Sequence, residues 1–197
     1  VDPDLPLIRA LQAGDDSALD ELIRRHQRPL LHFVYRYLRN EAAARDVVQE
    51  AFVRAYFKAA KFEPRATVKT RVYAIAVNLC RDEIRRIVRR GWTVSVQAAA
   101  PVSPDSAELV DPNLTPKEAA DEEDQFSALQ SAINQLPRAL REALVLFALD
   151  GHSQRETAEI LGTTPKTVEL RVYHAKAKLR RLLGGVLGRL ERTPDSS

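Results

Sequence analysis

Apolar residues recur at three- and four-residue steps along most of this chain, and nowhere do they alternate convincingly in the manner of a strand. Leu19, Leu22, Ile23, Leu30, Leu31, Phe33, Val34 and Leu38 form one such stripe and predict a helix over residues 17–38. Asn40 is placed to cap a second helix, 41–61, whose Val47, Val48, Ala51, Phe52, Ala55 and Tyr56 repeat in the same way. Pro64 interrupts. Thr67 is a candidate cap for a third helix running to about Arg90, with Val72, Ile75, Ala76, Leu79, Ile84 and Ile87 on its apolar side. A short helix around residues 5–13 is expected before these three.

From Gly91 to Thr115 the pattern fails. Pro101, Pro104, Pro112, small residues and acids occupy a stretch longer than compact domains ordinarily leave without structure. Periodicity resumes at Thr115-Pro116-Lys117-Glu118, a capping box with proline at the first helical position. That helix is expected to reach Leu136, and Pro137 to open another over 138–149. Asp150-Gly151 reads as a turn, with His152 in it. Ser153-Gln154-Arg155-Glu156 is a second capping box, opening a short helix to Leu161. Beyond Gly162-Thr163-Thr164-Pro165 a long helix is predicted over 166–183, weakened by Gly184-Gly185. The expected fold is all-α, with two small helical domains, 1–91 and 116–197, joined by an acidic linker, 92–115.

Charge adds an organisation that hydropathy does not show. Residues 1–92 carry 18 Lys/Arg against 12 Asp/Glu, residues 93–124 carry Lys117 against eight acids, and residues 125–197 carry 11 against 7. Two basic lobes favour polyanions through field and counterion release, and the acidic strap between them does not. The lone Cys80 cannot form an internal bridge, and no apolar run is long enough to span a bilayer. No charged-then-apolar leader opens the chain, so a soluble, cytoplasmic protein is expected.

Residues 153–183 have the pattern of a helix-turn-helix. The second helix would bury Val168, Val172, Ala175 and Leu179 and present Lys166, Arg171, His174, Lys176 and Lys178. Such a helix fits the major groove, its first turns against base edges and its later cations against phosphates. An ordinary helical hairpin with a solvated basic face would show the same pattern, so this lobe alone leaves both readings open.

In the first lobe, Asp46-Val47-Val48-Gln49-Glu50-Ala51-Phe52, then a basic-aromatic stretch, then Tyr73-Ala74-Ile75-Ala76-Val77-Asn78-Leu79, resembles region 2 of bacterial sigma factors. Leu136-Pro137, Asp150-Gly151-His152-Ser153 and the helix-turn-helix with Thr167-Val168 resemble region 4. With no region 3 domain between them, the chain is similar to the extracytoplasmic-function (ECF) group of the sigma-70 family. That resemblance implies an alternative sigma factor, which binds core RNA polymerase and directs promoter-specific initiation, and is not itself an enzyme. It implies that Asp46, Val48, Gln49, Glu50 and Val53 dock on the β′ clamp helices and that region 4 meets the β flap. It implies −10 contacts from Phe62, Arg65, Thr67, Lys69, Arg71 and Asn78, and −35 contacts from Lys166, Thr167, Leu170, Arg171, His174 and Lys178. An anti-sigma factor is the further partner it implies. The residue types suit these roles, since holding a melted base needs an aromatic or amide surface and cations for phosphates.

The chain also departs from the pattern. Val68 and Arg71 stand where the family usually has Phe and Trp, and Glu169, Leu170 and His174 replace commoner Lys, Ser and Arg. The acidic strap, by the same resemblance, would thread a channel built for nascent RNA; a plain solubilising tether has the same composition.

Two other classes of function compete. For an enzyme, no P-loop, GxSxG, HExxH or CxxC occurs. His26 and His32 lie six apart on one helix, on different faces, so no metal or other cofactor is expected; Cys80 reads as a small core residue. A stand-alone helix-turn-helix regulator remains the alternative, though it leaves the 46–78 motif unexplained.

Overall fold

A computed structural model describes residues 2–64, 66–89 and 127–190, with side chains to Gly184, and the secondary structure among these residues is helical throughout. The 92–115 linker and the Thr115–Glu118 capping box lie outside them. Four helices form the first part: α1 (Leu5–Gln12), α2 (Ser17–Leu38), α3 (Glu41–Ala59) and α4 (Val68–Arg89). Residues 127–134 are helix α5, followed by α6 (Arg138–Leu144), a wide π-helical turn (Val145–Leu149), α7 (Gln154–Leu161) and α8 (Pro165–Leu190).

The ends of these helices are set by local chemistry. Asn40 caps α3 by accepting the Ala43 N–H at 2.9 Å, and Thr67 Oγ1 accepts the Thr70 N–H at 3.1 Å at the start of α4. A second cap on α4 is not legible locally: the Asp2 carboxylate accepts the Val68 N–H at 2.8 Å from 66 residues away. Ser153 and Glu156 form the reciprocal capping box on α7, and Gly162, at φ 66°, ends that helix in the left-handed region that glycine adopts without strain. Helix α2 continues through Pro29, which lacks the N–H its turn would use.

Two expectations about helix extent are corrected. The helix read over 138–149 is α-helical only to Leu144; beyond it the Asp150 N–H reaches back five residues to the Val145 carbonyl at 2.9 Å. Helix α8 does not stop at Gly184-Gly185 but runs to Leu190, because glycine lowers helix propensity without removing the N–H that continues the ladder.

Among the described residues two compact units result, residues 2–89 with 145–169, and residues 127–144 with 170–190. In the first, α2, α3 and α4 close around Leu30, Phe33, Val34, Val48, Phe52, Tyr73 and Val77, and the rings of Phe33 and Tyr73 lie 5.4 Å apart. Cys80 is fully buried in this core. Helix α1 is tied to α2 by Asp4, a buried carboxylate that takes Arg25 at 2.9 Å and His26 at 2.6 Å. Helix α7 packs on α4 within the same unit. The second unit buries Ala132, Ile133, Leu136, Ala143 and Leu144 of α5 and α6, with Val172 and Ala175 of α8.

Candidate nucleic-acid interface

Helix α3 presents Asp46, Gln49 and Val53 to solvent and leaves Glu50 half-exposed. Val48, predicted with them, is only 3 % exposed and packs in the core beside Val47, Ala51 and Phe52. One helical step of 100° separates Val48 from Gln49, and that step crosses from the core to the surface. Glu50 pairs with Arg54 at 2.7 Å, an exposed contact worth about 0.2–1 kcal/mol. Arg45 turns away to Glu41, at 2.6 Å.

Gln49 and Val53 lie on the rim of an apolar groove between α2 and α3, of about 590 Å³, lined by Leu19, Ile23, Leu31, Phe52 and Phe57 among others. Leu19, Ile23 and Leu31 belong to the stripe read as core, yet they are only half-buried, and Phe57 is 75 % exposed. The signal was present in the sequence: the α2 stripe is wider than one neighbouring helix can cover. An exposed Phe and Val beside such a groove mark a binding surface more often than a solvated one.

The predicted −10 residues divide between two faces of α4. Arg71 and Asn78 are seven residues apart, so they share an exposed face, and the Arg71 guanidinium lies 5.2 Å over the half-buried Phe62 ring while donating to the Glu63 carbonyl at 3.2 Å. Arg71, standing where the family usually has Trp, thus lies over an aromatic ring. Asn78 is within 3.5 Å of Arg81. Val68 is buried and Thr67 serves as the cap. Lys69 is turned to the opposite side of the helix, 5.8 Å over the Tyr73 ring. Arg65 lies outside the described residues.

That opposite side holds a polar cluster. His152, read as a turn residue, is only 2 % exposed, and its ring meets Tyr73 edge-on at 4.5 Å. Asp150 accepts from Arg36 of α2 at 2.9 Å. Burial pushes the Asp150 carboxyl up to about 6 against the opposing pull of Arg36 and Lys69. Burial, then Lys69, pushes His152 down to about 4. Tyr73 is held well above its usual range by burial first and by Asp150 second.

On α8, Val168, Val172 and Ala175 are buried, which leaves Lys166, Leu170, Tyr173 and His174 outward. Lys166 reaches Glu169 at 3.0 Å. Thr167 is half-buried and its backbone N–H donates to the Thr164 side chain. Arg171 and Lys178 are half-buried on the flanks. Tyr173, 66 % exposed, was missed; its spacing of seven from Lys166 and three from Leu170 puts it at the centre of the outward face. A short capped helix, a glycine turn and a second helix with a basic outer face make a helix-turn-helix.

Sequence comparison agrees with this class. The chain matches the family model of sigma-70 region 2 over residues 22–90 and that of sigma-70, region 4 over residues 126–179. It is 33% identical to the ECF RNA polymerase sigma factor SigM of Mycobacterium tuberculosis, over 92% of this chain and 85% of that one. It is 31% identical to the ECF RNA polymerase sigma-E factor of Escherichia coli, over 88% of this chain and 90% of that one. Among solved structures it is similar to CnrH in complex with the cytosolic domain of CnrY, with a TM-score of 0.68 at 27% identity over 93% of this chain and 99% of that one. The fold is also that of the sigma factor RpoE from Bartonella quintana, solved with the anti-sigma factor NepR, at a TM-score of 0.65 and 22% identity over 84% and 96% of the two chains. The protein belongs to the sigma-70 family. Within it, this is an ECF RNA polymerase sigma factor, an alternative sigma factor that directs transcription.

Proposed function

We propose that this sigma factor docks on the β′ clamp helices of core polymerase through α3 and the α2/α3 groove, captures the melted −10 strand on the Phe62–Arg71–Asn78 face of α4, and reads the −35 element with α8. Residues 1–91 would act as the polymerase and −10 module and residues 116–197 as the −35 module, region 4 meeting the β flap. The observation that carries this reading is the pairing of an exposed polar-apolar face on α3 with an outward basic-aromatic face on α8, in the order in which the two family models match. An anti-sigma factor is the expected inhibitor, since a sigma factor of this fold, RpoE of Bartonella quintana, is solved in complex with the anti-sigma factor NepR. The chain lends specificity and the polymerase does the chemistry, so no catalytic residue is assigned to it. It is expected to act in the cytoplasm, and among the described residues no helix is long and apolar enough to cross a membrane.

Run-off transcription with purified core polymerase on genomic fragments tests the reading. Promoter-specific RNA that depends on this chain supports it. Tight binding of the chain alone to a duplex site, with no polymerase-dependent RNA, would favour a stand-alone regulator.

A further inference from the structure

We propose that helix α1 braces the −10 surface: Asp2 and Gln12, at its two ends, tie down the two ends of the α3–α4 connection and so hold Phe62 and Arg71 together. Both are positioning residues for strand capture. The inference rests on the −10 reading above and adds to it two residues that touch no DNA.

Helix α1 is itself firmly held. Its Ile8 is buried, and the buried Asp4 just before it takes Arg25 at 2.9 Å and His26 at 2.6 Å from α2. From that anchorage each end reaches a different helix. At the far end, the Gln12 side-chain amide donates to the Ala59 carbonyl, where α3 stops, at 2.9 Å. The same carbonyl accepts the Phe62 N–H at 3.0 Å, so one oxygen joins α1, α3 and the aromatic assigned to the melted base. At the near end, the Asp2 carboxylate accepts the Val68 N–H at 2.8 Å, where α4 starts. Its other oxygen accepts the Asp4 N–H at 3.1 Å, which fixes the carboxylate to the root of α1. Arg71 belongs to the first turn of α4, and its guanidinium lies 5.2 Å over the Phe62 ring. Each half of that pair therefore hangs from one end of α1.

Length is the reason a brace matters. The connection from Ala59 to Val68 has eight residues between them, enough to span up to roughly 30 Å when extended and far less when folded. Its own length leaves the separation of its ends open. From Asp2 to Gln12 the chain is mostly helix, at about 1.5 Å per residue, which sets two hydrogen-bonding side chains at a fixed spacing of roughly 15–20 Å. Groups that must be ordered when the strand arrives cost affinity, and groups held beforehand do not. Thr67 also caps α4, but it belongs to the connection, so it orders the helix start without tying it to α3.

The test measures binding of holoenzyme, assembled from the full chain, to a single-stranded oligonucleotide covering the −10 element of a promoter found by run-off transcription. Asp2→Ala and Gln12→Ala are each expected to weaken it about three- to tenfold, with affinity for core polymerase unchanged. Charge alone predicts the reverse for Asp2→Ala, which removes a negative group near phosphates. Asp2→Asn, which loses the charge and keeps an acceptor for the Val68 N–H, is expected to bind at least as well as the parent. In a Phe62→Ala background neither brace variant is expected to weaken binding further, whereas a general loss of stability would do so in either background. If Phe62→Ala weakens binding while Asp2→Ala and Gln12→Ala both bind fully, or if they weaken it equally with and without Phe62, the brace is overturned and the −10 face stands. Full binding by Phe62→Ala overturns the −10 face and the brace with it.

Discussion

Arg171 and Tyr173 are two residues apart on α8 and do different things. Arg171 is half-buried on the flank, where a long cation meets a phosphate more readily than a base edge, whereas Tyr173 and Leu170 point outward where a groove floor would lie. Arg171→Ala is expected to weaken holoenzyme binding on all promoters alike and to make the log-log salt dependence shallower by about one unit. Tyr173→Ala is expected to lose discrimination at one −35 position, by about 1 kcal/mol or more, with the salt slope unchanged. Binding on a −35 substitution panel at several salt concentrations measures both, and the reverse pattern would exchange the roles. At the same scale, Asp150 and His152 predict opposite pH dependences. His152, lowered from 6.5 to about 4, refuses a proton that the unfolded chain accepts between those values, so its contribution to stability falls on acidification. Asp150, raised from 3.8 to about 6, accepts a proton in the folded chain first, so its contribution rises on acidification. The other charged groups facing the pair are Arg36 from α2, Lys69 from α4 and Glu156 from α7. Asp150→Asn should therefore lose thermal stability relative to His152→Gln as pH falls from 6.5 to 4.5. Parallel melting curves for the two variants would show that neither group titrates as assigned.

Helices α3 and α7 show how an element can be legible from sequence while its surface is not. Asn40 announces the start of α3 and the 3.6-residue repeat gives its core side, and both are found as expected. That Val48 is core while Gln49 and Val53 are rim depends on where α2 and α4 lie, which no local pattern encodes. Charge reversal at Asp46 and Glu50 should abolish co-purification with core polymerase and leave helical content intact, because what is lost within the fold is exposed: the Arg54 pair and the attraction of Asp46 for Arg86. Val48→Ala should instead cost about 2 kcal/mol of stability by leaving a cavity. Undiminished assembly by the double reversal would remove α3 from the docking surface. In α7, Ser153→Ala should cost about 1 kcal/mol, read by chemical denaturation, because it removes one half of a reciprocal cap.

Across the whole molecule, charge separates the lobes from the strap between them. Neutralising Asp121, Glu122, Glu123 and Asp124 as Asn or Gln should leave polymerase affinity nearly unchanged and alter the ratio of abortive to full-length RNA; an identical product distribution would support the simple tether. The sequence by itself determined the helical class, nearly every helix start and the order of the two sigma regions. Caps, turn glycines and apolar periodicity act over three to seven residues, so one sequence window contains both partners. Only the tertiary structure decided that Asp2 caps α4, that Leu19 and Ile23 line a groove, that Lys69 lies near Asp150 and His152, and that His152 is buried against Tyr73. Each of these joins residues far apart in the chain, as Asp2 with Val68 or Arg36 with Asp150, and such pairings follow from how helices pack rather than from the pattern along any one of them.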